Sequence, residues 1–452
     1  MHKPTVETAA LREHILTYAR TRMGYETPPL DRPQTLEWLQ ANAGQTITPD
    51  GLGGMRALGV FADVLAPATL SSDHPGYLSF IPTAPTEAST LFDLVVSASC
   101  IYGGSWLEGA GAVYAENQVL TWLASEAGLP PTAGGVFVQG GTLGNLSALV
   151  TARDAARRYR HAAEQPMPAR WKVICSSEAH SSIKAAAAVM DIEVIKAQAS
   201  ADGRLRGEAV AEALEAAGDG VFAIVGTAGT TNFGIVDDLL SIGNVAKEHG
   251  IWYHIDGAYG LAGMLAQSTR HLYAGTELAD SFIVDPHKWL YAPYDACALV
   301  YRHPELARAA HTQHGEYLDT LTERDDWNPS DYAYNLTRRV RGLPLWFSLA
   351  THGTKAYAAA IDGNVALAKR IAEEIRTRPH LKLVREPMLS VVVFERDGWT
   401  LADYEAWSNG LLESQLAFVV PSSHAGKPNA RFAIVNPETT YELLTQILDT
   451  MN

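Results

Sequence analysis

Ser281-Phe-Ile-Val-Asp-Pro-His-Lys-Trp289 is an apolar run that ends in an imidazole, an amine and an indole. A lysine placed where a strand meets a packed interior is partly desolvated, and its pKa is expected to fall. Such a lysine can form a Schiff base with an aldehyde. Most lysines beside aromatics only cover apolar surface with their stems, so the reading depends on the surrounding chain.

Upstream, similar apolar runs recur at Val136–Gln139, Val173–Ser176, Ile192–Ile195, Val221–Val225 and Trp252–Asp256, and another follows at 296–301. Helical patterns separate them at 144–159, 181–190, 207–217 and 238–249, after two more at 86–101 and 112–127. Continuous Val/Ile-rich strands alternating with helices predict an α/β fold with a mostly parallel sheet covered on both faces. Ligands of such sheets bind at the carboxyl ends of the strands.

Residues 5–70 read as short helices broken by Pro and Gly, with apolar stripes at Leu11, Ile15, Leu16 and Ala19 and at Leu36, Trp38 and Leu39. A piece this thin has little core of its own and is expected to pack on a partner subunit. Residues 311–335 form a long polar loop, a length that usually signals function or disorder. Beyond about 340 the pattern changes to a long helix at 354–376, strands near 381–385, 389–395, 418–420 and 431–435, and a terminal helix. The expected division is an N-terminal helical segment (1–75), a large domain (76–345) and a smaller C-terminal α/β domain (346–452).

Composition narrows the function. With 452 residues, 47% hydrophobic and 19% charged, the chain is an ordinary globular protein of two or three packed units. A formal charge of -15 argues against nucleic acid as a partner. It does not exclude a phosphorylated cofactor, because a helix N-terminus binds phosphate without net positive charge. Cys100, Cys175 and Cys297 lie far apart without metal spacing and read as buried free thiols, so no metal is expected. No secretory signal or membrane-length apolar stretch is found, so a soluble, cytoplasmic protein is expected.

The motifs fall at strand ends. Gln139-Gly-Gly-Thr-Leu-Gly-Asn145 joins a strand to a helix and offers unpaired N–H groups to an anion, or is simply a tight turn. In Ser177-Glu-Ala-His-Ser-Ser182, His180 can stack on a flat ring, although a histidine there is often only hydrogen-bonded. Gly226-Thr-Ala-Gly-Thr-Thr231 adds hydroxyls. In Trp252-Tyr-His-Ile-Asp-Gly-Ala-Tyr259, Asp256 can hold a heteroaromatic nitrogen protonated, or merely cap a helix. A phosphate turn, a stacking imidazole, an aspartate and an aldehyde-trapping lysine, in that order, are what pyridoxal 5′-phosphate requires.

These motifs resemble the group II pyridoxal-phosphate decarboxylases, the family of aromatic L-amino-acid, glutamate and histidine decarboxylases. The similarity runs from about His74 to Thr440 and includes His74–Thr83, Ala179–Ile183, Thr227–Thr231 and Asp285-Pro-His-Lys-Trp-Leu290. Arg338-Arg339 before Leu345-Trp346, and Arg431–Asn436, match further downstream. The resemblance implies a fold-type I enzyme, aspartate aminotransferase-like, with a seven-stranded large-domain sheet and an intertwined homodimer whose active sites lie at the subunit interface.

By the same resemblance Lys288 forms the internal aldimine, His180 stacks on the pyridine and Asp256 pairs with its nitrogen. Ala258 packs against the ring; Gly141, Thr142, Leu143, Asp285 and His287 surround the phosphate, and Thr230 lies near the cofactor. Decarboxylation leaves a carbanion that the pyridinium absorbs as a quinonoid, and a loop tyrosine lent across the dimer returns a proton. Tyr332 and Tyr334 are the candidates, ahead of Tyr317.

The substrate pocket is expected from Phe80, Ile81, Pro82, Thr83, Tyr102, Gly104 and Trp106, with Gly103 and Gly104 enlarging it. No arginine or lysine lies in these segments, which speaks against glutamate and for tryptophan, tyrosine or related amino acids. The alternatives are an aromatic aldehyde synthase, in which oxygen intercepts the quinonoid, a decarboxylase of a non-aromatic amino acid, an aminotransferase, and a non-catalytic protein on the same fold.

Overall fold

The computed structural model describes residues 2–315 and 326–452. Its main sheet contains β1 (Gly134–Val138), β2 (Lys172–Ser176), β3 (Glu193–Ala197), β4 (Val221–Thr227), β5 (Trp252–Asp256), β6 (Ser281–Val284) and β7 (Cys297–Tyr301). The spatial order is β1-β7-β6-β5-β4-β2-β3. Only β7 runs against its neighbours, β1 and β6; the remaining pairs are parallel.

Alternation along β5 shows how both faces are filled. Tyr253 and Ile255 join one apolar cluster, whereas Trp252 joins the other, with the helices Gly141–Ala162 and Ser181–Met190. The helix Gly141–Ala162 lies close on the sheet because Gly144 has no side chain. A Cβ there would stand 2.8 Å from Ile283 Cγ2 and 2.9 Å from Cys297 Sγ.

A second, antiparallel sheet contains β8 (Leu381–Leu383), β9 (Val391–Arg396), β10 (Ser422–His424) and β11 (Lys427–Ala433) in the order β10-β11-β9-β8. The strand expected at 418–420 is instead an extended segment bridging to Tyr77, and the hairpin strand begins at Ser422. Phe418 exchanges backbone hydrogen bonds with Gly76 and Leu78, so the pocket segment supplied the pairing that the expected strand needed. A helix at Leu343–His352, not expected from the pattern, precedes the long helix Thr354–Thr377.

The N-terminal helices Val6–Met23, Leu36–Ala43 and Gly54–Val60 bury no residue. Cys175 and Cys297 are buried free thiols, but Cys100 is exposed, contrary to expectation. It ends the helix Glu87–Ser99 in a left-handed conformation, φ 53°, which turns it away from the apolar stripe.

Candidate active site

The carboxyl ends of β2, β4, β5 and β6, with the turn after β1, surround a cavity of about 380 Å³. Gly141, Thr142, His180, Asp256, Ala258, Asp285, His287 and Lys288 line it, together with Phe80 and Ile81. They arrive from five separate segments, which explains how residues far apart in sequence converge: parallel strands all end at the same edge.

Lys288 lines the cavity from the loop after β6. Its Nζ lies 2.9 Å from Asp285 Oδ2, and His287 Nε2 lies 3.7 Å from the same oxygen. Burial pushes the Lys288 ammonium down, but the charge and hydrogen bond of Asp285, helped by Asp256, outweigh it, and the net shift is upward. The expected depression is therefore reversed, because the desolvated amine has an ion-pair partner. Asp285 Oδ1 is buried without a hydrogen bond, as is the hydroxyl of Thr227 at the end of β4.

Asp256 is 5% exposed and accepts hydrogen bonds from Asn145 Nδ2 at 2.9 Å and from the Ala258 N–H at 3.2 Å. One carboxylate thus faces a cavity beside an imidazole. His180 begins the helix Ser181–Met190; the Ser182 N–H donates to its Nδ1 at 3.2 Å, with the Ser182 hydroxyl at 2.9 Å.

These residues fit a flat phosphorylated aldehyde. The amine, the carboxylate and an imidazole converge, two buried polar atoms await partners, and the first turn of the helix Gly141–Ala162 supplies N–H donors. At Gly141 a Cβ would stand 3.2 Å from both Ala258 Cβ and Asp285 Oδ2, so a bulkier residue would crowd the floor.

A family model for the pyridoxal-dependent decarboxylase conserved domain matches residues 56–396. The chain belongs to this family. It is a pyridoxal-phosphate-dependent amino-acid decarboxylase with a fold-type I architecture. An aromatic-L-amino-acid decarboxylase of Bacillus atrophaeus is 28% identical over 395 residues, 83% of this chain and 80% of the relative. An L-2,4-diaminobutyrate decarboxylase of Acinetobacter baumannii is 28% identical over 366 residues, 76% and 72% of the two chains. The crystal structure of Oryza sativa TDC with PLP and tryptamine shares the fold, with a TM-score of 0.91 at 22% identity over 100% of this chain and 99% of that one.

Other expected residues lie elsewhere in this decarboxylase. Leu143 faces a neighbouring groove, and the Thr230 hydroxyl accepts from the Ile235 N–H at 3.1 Å. The Thr83 hydroxyl donates to Ala292 O at 2.8 Å, and neither it nor Pro82 lines the cavity. Tyr102, Gly104 and Trp106 do not line it either: Tyr102 donates to Leu336 O, and Trp106 opens the helix Trp106–Glu126. The space beside Gly104 is taken by Tyr102, whose hydroxyl would stand 2.3 Å from a Cβ there; at Gly103, Val340 Cγ1 would stand 2.6 Å away. Within the single chain these glycines seat neighbours rather than open space. Tyr332 is buried and stacks on Trp327 at 4.1 Å between ring centroids, whereas Tyr334 is 68% exposed. Tyr317 lies outside the described residues.

The structure adds residues with no assigned role in the sequence reading. Asn145, Ser182 and Thr227 stood inside quoted motifs, but their contacts depend on packing between strands. Arg431 donates to the Phe80 carbonyl and so borders the cavity wall. Asp295 lines the cavity, with its Oδ1 held by Arg341 Nε at 2.9 Å.

Proposed function

We propose that this decarboxylase acts on an aromatic L-amino acid, tryptophan, tyrosine or a hydroxylated form, releasing CO2 and the arylalkylamine. The observation that carries the reading is the apolar wall. Phe80 is 59% exposed, lines the cavity and has φ 55°, a left-handed conformation that is unfavourable for a side chain of its size. Phe418, with Tyr77 packed edge-on against it, flanks that ring, and Ile81 lies beside it. A second amine, as in 2,4-diaminobutyrate, asks for an uncommitted carboxylate; Asp295 already pairs with Arg341.

The bound cofactor supplies an aldehyde for the substrate amine and a cationic ring that accepts the electron pair left by departing CO2. The Lys288 amine would hold that aldehyde, and Asp285 keeps the amine in place. Asp256 would keep the ring nitrogen protonated, and His180 would cover one face of the ring. The N–H groups of the turn at Gly141 and Thr142 would hold the phosphate, with His287 nearby.

We read the working unit as a homodimer. Val6, Ile15, Leu36, Trp38, Met55 and Phe61 are all exposed on the N-terminal segment, and a second copy would cover them. In that reading Trp106, Tyr102, Gly104 and a loop tyrosine complete the site of the second copy. Tyr334, being exposed, is the proton donor this reading favours; Tyr332 is the alternative.

The test is direct. Purified holoenzyme is incubated with tryptophan, tyrosine, phenylalanine, glutamate and 2,4-diaminobutyrate, and amine, aldehyde, peroxide and CO2 are measured. Aromatic amines should dominate; preferred turnover of 2,4-diaminobutyrate or glutamate overturns the assignment.

A further inference from the structure

Asp256 and His180 come from different loops, yet a single buried side chain touches the supports of both. Asn145 Nδ2 lies 2.9 Å from Asp256 Oδ2 and 2.9 Å from Ser182 Oγ, and Ser182 Oγ lies 2.9 Å from His180 Nδ1. Behind Asn145 stands His254, wholly buried, with Nε2 2.8 Å from Asn145 Oδ1 and Nδ1 2.8 Å from Ser281 Oγ. Trp252 Nε1 closes the chain, 2.9 Å from Ser281 Oγ.

Trp252, His254 and Asp256 alternate along β5 and therefore share one face, the face packed against the helix that carries Asn145. We propose that His254 is a positioning residue for the cofactor pocket, acting through the Asn145 amide on Asp256 and His180 together. The inference rests on the family assignment, since it concerns where the pyridoxal ring is held.

Hydrogen-bond polarity carries the argument. An indole N–H only donates, so Ser281 Oγ accepts from Trp252 and has its own proton available for His254 Nδ1, the nitrogen left as acceptor because Asn145 Oδ1 opposite Nε2 can only accept. The proton of a neutral imidazole then lies on Nε2 and points at Asn145 Oδ1. This orients the amide with its NH2 toward Asp256 and Ser182, which accept one hydrogen each. Ser182 in turn directs its proton to His180 Nδ1, which the Ser182 N–H also approaches at 3.2 Å. His180 thus keeps its own proton on Nε2. The reverse amide orientation would set Asn145 Oδ1 against the Asp256 carboxylate, two acceptors face to face. Burial supports the neutral state of His254, pushing its pKa down against the pull of Asp256.

One imidazole therefore links the buried Trp252 indole to the two cofactor-facing groups in a continuous chain of hydrogen bonds. Without it, Asn145 Oδ1 loses its donor, and the amide orientation is held only from the Asp256 side.

The experiment compares His254→Gln, which keeps a donor toward Asn145, with His254→Leu, which removes it. Wild type and both variants are prepared as holoenzyme. Cofactor dissociation constant, visible absorbance and circular dichroism of the bound cofactor, and melting temperature of the apo forms are measured. We expect His254→Leu to weaken cofactor binding at least tenfold and to change the sign or size of the visible dichroism. We expect His254→Gln to restore both most of the way, even where the two variants melt alike. If His254→Leu binds cofactor with wild-type affinity and dichroism, or if His254→Gln is as impaired as His254→Leu, the relay is refuted. If wild type itself binds no pyridoxal phosphate, the family reading fails instead, and the two failures are distinct.

Discussion

Replacing Glu116 with leucine tests how the loop after Arg338 is tied to the sheet. Both side chains are buried: Arg338 Nη1 lies 2.8 Å and Nη2 3.0 Å from the Glu116 oxygens, with side-chain exposures of 0% and 2%. Glu116 also accepts the Gly342 N–H at 2.8 Å, while Arg338 donates to Gly103 O at 2.6 Å and Phe137 O at 3.0 Å. Glu116→Leu therefore strands a buried cation that keeps only two carbonyl acceptors. Breaking such a pair costs about 3–5 kcal/mol, and the orphaned Gly342 N–H adds roughly 1 kcal/mol or more. Adding Arg338→Met removes the stranded charge, and the double variant should recover at least about half of the loss. The assay is urea denaturation of the apo protein, read from midpoints at unchanged slope. A loss below about 1 kcal/mol, the value of a surface pair, would refute the reasoning. So would a double variant as unstable as the sum of the singles.

Gly104→Ala should destabilise by about 1–3 kcal/mol through collision with Tyr102; a raised KM for large substrates with unchanged melting temperature would show instead that Gly104 opens the pocket. Tyr334→Phe should cut amine formation at least about tenfold and divert product toward aldehyde and peroxide, with Tyr332→Phe affecting stability more than product; an unchanged product ratio in Tyr334→Phe removes that tyrosine from proton transfer. Burial pushes Asp237 up to about 7, against the backbone N–H groups of Leu205 and Thr227 that it accepts. A carboxyl raised on folding binds more protons in the native state, so it makes stability fall as pH rises from about 4 to about 7. Asp237→Asn should flatten that decline in melting temperature, and an unchanged slope would show that Asp237 does not titrate there.

Strand-by-strand periodicity made the main sheet legible, because buried parallel strands are continuous Val/Ile-rich runs with helices between them. The convergence of Lys288, Asp256 and His180 on one cavity was readable as well, since each stands at or just beyond the end of such a run and parallel strands end at a common edge. The segment 418–420 misled because an apolar extended stretch looks the same whether it joins a sheet or bridges to a single loop residue. Local pattern has no knowledge of the partner strand.

What the amino-acid order determined alone was which chemical groups are present and which strand end each occupies, because backbone periodicity is a local property. Only tertiary packing decided their states. It set Lys288 against Asp285, which turned an expected fall in basicity into a rise. It closed the space beside Gly104 with Tyr102 and joined Asp256 to His254 through Asn145. Charge, proton direction and free volume depend on neighbours in space, whether these stand close in the chain, as Asp285 does to Lys288, or far along it, as Asn145 does from Asp256.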